Sequence, residues 1–321
     1  MQTASIVTRQ MPLARRAALF GGFCLCCLPS LACAAAATRP MAVAEVTPGL
    51  FLRRGVDEDA TGANLDAIAN IGFVIGRDAV LVTDSGGSFA DGERLRAAIK
   101  TKTEKPIRYV VVSHVHPDHA FGAAAFRADN PIFVGHARLP AALGSRGEFY
   151  RKNLEKLLGP GKAGEVVLPT MQVQDHAEID LGGRVVAFHA HGIAHTDCDL
   201  SMLDRTSGLL LPADLLFVRR VPSLDGSLLG WLRELDVLQS MGSARAVPGH
   251  GPLVVGYAQA AADLARYLTA LRDGARAAIA NDIGIDAAAK TVAQSERGRW
   301  KLFDDYNGRN VTEAYKELEW E

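Results

Sequence analysis

Apolar positions in this chain fall into short continuous runs in the first part and wider helical spacings towards the end. Runs rich in Val, Ile, Leu and Phe, bounded by Gly, Asp or Pro, predict strands at Leu50–Arg53, Ile71–Ile75, Ala79–Thr83, Ile107–Ser113 and Ile132–Gly135. Leu95 and Ile99 share one face of a helix predicted over Gly92–Lys100, and a second helical stretch covers Phe149–Leu158. The pattern then returns to strands. Ala177–Leu181 and Arg184–Ala190 flank Gly182-Gly183 as a hairpin, and Leu200–Leu203 and Gly208–Leu211 flank another turn. A helix over Leu228–Met241 precedes a strand at Ala244–Pro248, and Ala258–Asn281 and Asp286–Gln294 are Ala-rich and helical. Strands followed by helix, twice over, predict two similar β-sheets packed together with helices on both outer faces.

The first residues belong to another pattern. Arg9, Arg15 and Arg16 precede an apolar stretch from Ala17 to Leu28, and small residues from Ala32 to Ala36 follow. This is the order of a secretory signal, assigned to residues 1–36, and the stretch is shorter than the roughly 20 residues that span a bilayer. Arg15-Arg16 leaves twin-arginine export open beside the general route. The expected location is the periplasm, with no integral membrane span. Of the five cysteines, Cys24, Cys26, Cys27 and Cys33 would leave with the signal. Cys198 then remains alone, expected to be a buried small hydrophobe, and no intramolecular disulfide framework follows. The length of 321 residues and an apolar share of 48% are ordinary for a globular core, and the formal net charge is −1. They give no support to a nucleic-acid partner.

Chemistry concentrates in Ser113-His114-Val115-His116-Pro117-Asp118-His119. Imidazoles and a carboxylate packed this tightly after an apolar strand are the ligands that catalytic zinc prefers. Pro117 is expected to keep the segment from continuing as strand or helix, freeing its side chains from alternation. His195, Asp214 and His250 each follow a predicted strand further on, where a rigid scaffold would present ligands on a rim. His189 and His191, sharing a strand face, are weighed as outer partners of a ligand carboxylate, with packed or surface imidazoles the commoner meaning. His136 and His176 have no companion ligands in the sequence. Arg219-Arg220 offer guanidinium forks to an anionic substrate, although exposed arginines beside a loop are commonplace. Asn310-Val311-Thr312 fits a glycosylation acceptor and is read as incidental.

The ordered set His-x-His-x-Asp-His, His, Asp, His resembles the metallo-β-lactamase superfamily from about Val43 to about Pro252. The resemblance implies an α/β (α+β) fold, a four-layer αββα sandwich over residues 43–255, with a C-terminal helical extension at 256–321. It implies a first zinc on His114, His116 and His195, a second on Asp118, His119 and His250, and Asp214 bridging both. Asp84 resembles a structural strand-end aspartate. Metals roughly 3.5–4 Å apart share a water whose pKa falls towards about 7, which would make the protein a dizinc hydrolase of a small ester, thioester, lactone or related bond. Asp118 would also orient that nucleophile. An aspartate at 214, where class B1 lactamases carry cysteine, argues against lactams.

AHTDCDL, RVPSLDGSLLGWLRELDVL and the terminal NVTEAYKELEWE further resemble the SoxH-related quinoprotein relay system zinc metallohydrolases, implying a link to a periplasmic quinoprotein dehydrogenase. Two alternatives stay open, a mononuclear iron oxidoreductase of the persulfide-dioxygenase kind and a non-catalytic accessory binding a quinone cofactor or metal. The signal reading has a direct test. Protein isolated from its native host should begin near 34–37 by mass spectrometry of the N-terminus, and an intact Met1 would refute cleavage.

Overall fold

The computed structural model describes residues 38–321. The segment expected to be a signal, with Cys24, Cys26, Cys27 and Cys33, lies outside the described residues. Strands β1 (Ala44–Thr47), β2 (Leu50–Arg53), β3 (Ile71–Ile75), β4 (Val80–Thr83), β5 (Ile107–Val112), β6 (Ile132–His136) and β7 (Met171–Val173) form the first sheet in sequence order. Strands β8 (His176–Asp180), β9 (Val185–Ala190), β10 (Leu200–Asp204), β11 (Leu209–Phe217), β12 (Arg245–His250) and β13 (Val255–Gly256) form the second, again in order. Neighbours in sequence are neighbours in space, so most connections stay short.

The strand alternation decides the layers. In β4, Val80 and Val82 join one apolar cluster while Leu81 joins another, so both faces of the strand are covered. Leu50, Leu81, Val111 and Val134 of the first sheet meet Val186, Phe188, Met202 and Leu211 of the second in the inter-sheet core. Helices α1 (Phe89–Lys102) and α3 (Leu139–Leu158) cover the outer face of the first sheet, through Leu95, Ile99, Leu143 and Leu154. Helices α4 (Leu228–Ser240) and α5 (Tyr257–Ala280) cover the second, with α6 (Ile285–Thr291) and α7 (Phe303–Leu318) packed on α5. The result is the αββα sandwich with C-terminal helices. No helix among the described residues is long and apolar enough to cross a membrane.

Cys198 is fully buried in the apolar cluster under α1 and α3, the small hydrophobe expected of it. Two expectations need correction. Pro117 does not prevent a helix but starts one, the single turn α2 (Pro117–Ala120). Its fixed φ and missing N–H suit the first helical position, where no intrahelical donor is needed. Strand β11 does not stop at Leu211. It runs on to Phe217, with an irregular register against β12 around Ala213, whose φ is 48°.

The C-terminal helix is built into the second half of the fold. Asn310 of α7 is fully buried, donates to the Pro222 carbonyl at 2.7 Å and accepts from the Leu224 amide at 2.9 Å. Its amide is thus consumed inside the protein, which removes it as a glycan acceptor in the folded state. Glu317 accepts from the Ser227 hydroxyl at 2.7 Å and from the Leu228 and Leu229 amides at 2.6 and 3.3 Å. It thereby caps the otherwise unpaired donors at the start of α4. Replacing Glu317 by Ala should lower unfolding stability by about 1–2 kcal/mol, as loss of a helix cap does. Equilibrium urea unfolding checks this, and an unchanged midpoint would show that α7 merely rests on α4.

Candidate metal centre

The site forms where chain ends of both sheets meet. Strand β5 delivers Ser113 and His114, and α2 turns Asp118 and His119 back towards them. Asp84, directly after β4, sits at φ 61°, a left-handed conformation that aspartate tolerates better than most residues. Its carboxylate accepts from the Ser113 amide at 2.7 Å, the Ser113 hydroxyl at 2.8 Å and His119 Nδ1 at 2.9 Å. His195 comes from the loop after β9, Asp214 from the irregular part of β11, and His250 is the last residue of β12. Gly249 is required by the approach of these two strands, since a Cβ there would lie 1.8 Å from Asp214 Oδ1.

The structure gathers these residues into two donor groups. One holds His114, His116, His195 and Asp214, the other Asp118, His119 and His250. In the first, His116 Nδ1 lies 3.1 Å from His114 Nε2 and 2.9 Å from His195 Nε2. In the second, His250 Nε2 lies 3.2 Å from Asp118 Oδ2. Asp214 joins the two. Its Oδ2 is 3.4 Å from His195 Nε2 and 3.3 Å from His250 Nε2, and its Oδ1 is 3.0 Å from His119 Nε2.

The outer ring atoms explain why the inner ones point as they do. His195 Nδ1 donates to the Ser223 carbonyl at 2.7 Å and His250 Nδ1 to the Ile68 carbonyl at 3.1 Å. His119 Nδ1 and His116 Nε2 donate to the carboxylates of Asp84 and Asp225, at 2.9 and 3.1 Å. The Ser113 hydroxyl spends its proton on Asp84, leaving its oxygen to accept from His114 Nδ1 at 3.0 Å. Each imidazole therefore has its proton held outside, and each inner nitrogen presents a lone pair to the same buried space.

That convergence fits metal ions and little else. His119 Nε2 and Asp214 Oδ1 are buried without a hydrogen-bond partner, a costly arrangement unless a cation lies between such groups. Burial pushes the His114 imidazole well below its ordinary pKa, helped by His119, and pushes His195 down to about 3 despite the pull of Asp214. Around the other group the carboxylates win. Burial opposes the imidazolium of His119 and His250, yet Asp214 and Asp118 raise both. Burial also opposes ionisation of Asp214 and Asp118, yet His250 and His119 hold both carboxyls below the usual range. The space selects positive charge.

A cavity of about 390 Å³ opens onto this centre. Phe149, Tyr150, Leu154 and Leu157 of α3 form an apolar wall, while Tyr306 and Arg309 of α7 and Arg220 supply polar groups. Of the paired arginines only Arg220 lines it, and its guanidinium already serves the Glu58 carbonyl, Asp59 and Tyr306. Arg219, expected beside it, turns instead into a separate depression with Arg266 and Arg299, because its φ of 70° reverses the chain there. His189 and His191 do not reach a ligand carboxylate. His191 bonds Glu234 and Ser201, and His189 bonds His176, a companion that only the β8–β9 register brings near. His136 donates through Nε2 to the His191 carbonyl, and its Nδ1 accepts from the Arg138 amide.

Sequence reasoning missed Asp225, which accepts from His116 and is held by Arg146 at 2.5 Å and Arg309 at 3.4 Å. Despite its burial, His116 and Arg146 keep its carboxyl down at about 2. Its only signal was a lone aspartate before Gly226 in an irregular stretch. Asp66 was missed too. It is buried at the cavity wall, where burial and the charge of Asp118 push its carboxyl well above the usual range.

A family model described as the metallo-beta-lactamase superfamily matches residues 66–250. A linear primary-alkylsulfatase of Pseudomonas sp. (strain ATCC 19151) is 30% identical over 64 residues, which is 20% of this chain and 12% of that protein. Among solved structures, the stereoselective inverting sec-alkylsulfatase of Pseudomonas sp. gives a TM-score of 0.65 at 18% identity, over 86% of this chain and 50% of that one. A metallo-beta-lactamase from Pontibacter korlensis gives 0.57 at 16% identity, over 71% of this chain and 98% of that one. The chain thus spans half of the first structure's length and a far smaller share of the curated relative. At these identities the structural likenesses show the fold alone.

Gly249→Ala tests the geometry directly. The added methyl has to displace Asp214, so metal affinity should fall at least about tenfold while the fold persists. Metal retention on dialysis against a graded chelator reads this, and wild-type retention would mean that the two strands separate at little cost.

Proposed function

This chain belongs to the metallo-beta-lactamase superfamily, and on that premise we propose that it is an exported hydrolase working with two zinc ions. The observation that carries the reading is Asp214, one carboxylate within 3.4 Å of inner nitrogens from both donor groups. A single-metal centre has no use for the second set of oriented lone pairs. In this reading His114, His116 and His195 would hold one ion, Asp118, His119 and His250 the other, and Asp214 would serve both. Zinc held there would supply Lewis acidity and a lowered water pKa.

The chain's own residues do the rest. Asp118, at the cavity wall, accepts a hydrogen bond from the attacking water and fixes its direction. Asp225, Asp84 and the Ser223 and Ile68 carbonyls hold the outer ring protons and keep the imidazoles aimed. The wall on α3 takes an aliphatic part of the substrate and excludes water, while Arg309 and Tyr306 face a polar or anionic end. That pairing suits a small ester, thioester, lactone or related bond. A sulfate ester of an aliphatic alcohol joins the class, since two of the similar proteins carry alkylsulfatase names. We further propose a periplasmic location and service to a quinoprotein dehydrogenase, supported by the signal pattern and the motifs shared with the SoxH-related group. Two of those motifs meet where Asn310 and Glu317 bond Pro222 and Ser227.

Elemental analysis should find close to two zinc ions per chain, and one iron without zinc in active protein would overturn the reading. Asp214→Asn should lose one equivalent and regain part of its activity with added zinc. Asp118→Asn should be slower by on the order of 100-fold, with less recovery, because direction of the nucleophile is lost as well. Full activity and normal metal content in Asp214→Asn would exclude the bridge.

A further inference from the structure

We propose a second, peripheral metal site on the outer face of the second sheet, in which His176 and His189 bind a transition-metal dication and Asp175 orients His176. It shares no residue with the candidate metal centre and stands whether or not that centre is hydrolytic. The antiparallel register of β8 and β9 sets His176 directly opposite His189. His176 Nε2 and His189 Nδ1 lie 2.8 Å apart. Two nitrogens bound at about 2.0–2.1 Å and roughly 90° to one ion are separated by about 2.9 Å, so the rings already have the bite of a chelate.

Asp175 fixes one of them. Its Oδ1 is 2.8 Å from His176 Nδ1, which puts the proton there and leaves Nε2 as the lone pair facing His189. His189 can move its own proton to Nε2 and present Nδ1, so binding demands no net loss of charge from the protein. His189 belongs also to a second group, with His191 and Glu234, whose donor atoms lie within 4.8 Å of one another. His191 is fully engaged by Glu234 at 2.8 Å and Ser201 at 2.7 Å, and so braces the site from below.

Exposure separates this cluster from a packed one. The side chains of His176 and Asp175 are 64% and 80% exposed, so no desolvation forces them together. A hollow of about 260 Å³ beside them, lined by Ser201, Arg205 and Met241, leaves room for further water ligands. Paired imidazole nitrogens without thiolate select Cu²⁺, Ni²⁺ or Zn²⁺ over Ca²⁺ and Mg²⁺, with Cu²⁺ held most tightly.

Zinc-loaded full-length protein should be titrated with Cu²⁺ and followed by electron paramagnetic resonance. One equivalent beyond the zinc content should bind, with hyperfine coupling to two imidazole nitrogens. His176→Ala and His189→Ala should each weaken it at least about tenfold, and Asp175→Asn less, while the zinc content and thermal midpoint stay at wild-type values. Binding that is absent below about 100 µM, or equally tight in the double variant, would overturn the proposal. Copper that displaces zinc one for one would overturn it too, by placing the ion in the other centre.

Discussion

Everything around the centre answers one electrostatic constraint. Buried carboxylates and imidazole lone pairs aimed at one small space repel each other and have lost their water. Such an arrangement survives only if every other polar atom of those side chains is satisfied, and here each outer ring nitrogen is. The acceptors are backbone carbonyls at Ser223 and Ile68 and side chains at Ser113, Asp84 and Asp225. They come from segments far apart in sequence. The centre therefore ties the two sheets together as much as the sheets position it.

Asn70 shows the same logic from the side of the scaffold. Its amide nitrogen donates to the Pro248 carbonyl at 2.8 Å, its backbone N–H donates to the Gly249 carbonyl at 2.7 Å, and its side-chain oxygen accepts from Gly55 at 2.9 Å. The start of β3 is thus stitched to the end of β12, one residue before His250. Gly249 leaves space for Asp214 on the other side of the same strand. Packing and ligand placement are a single problem at this edge, so the chain tolerates an irregular register in β11 and a positive φ at Ala213 where it meets Asp214.

Much of this was legible in the sequence. Apolar runs located Leu50–Arg53 and Ile71–Ile75 as the structure has them, because Ile71–Val74 is buried on both faces and needs continuous hydrophobic residues, while Leu50 and Leu52 alternate into the core. The seven candidate ligands were visible by residue type, and the fold does bring them together. Edge strands such as β1 and β7 were not legible, since half-exposed backbone carries little apolar pattern. Arg219 and Arg220 read alike in sequence, but one positive φ sends them to different places. Asp225 escaped notice because its role depends on Arg146 and Arg309, brought to it by two helices. His176 was dismissed for want of companions that only strand register supplies.

The C-terminal helix carries the most instructive consequence. Read as an appendage, it is a tail after the last ligand. Asn310 and Glu317 instead hold the segment from Pro222 to Leu229, and that segment contains the Ser223 carbonyl and Asp225, which orient His195 and His116. Arg309 reaches Asp225 itself, and Tyr306 meets Arg220 at the cavity wall. The helix therefore acts on the first donor group through two hydrogen bonds it never makes directly. A change in α7 alters both the aim of two imidazoles and the shape of the cavity. Sequence similarity confined to the ligand motifs cannot see either effect, so chains that share every ligand can still differ in what their cavities accept.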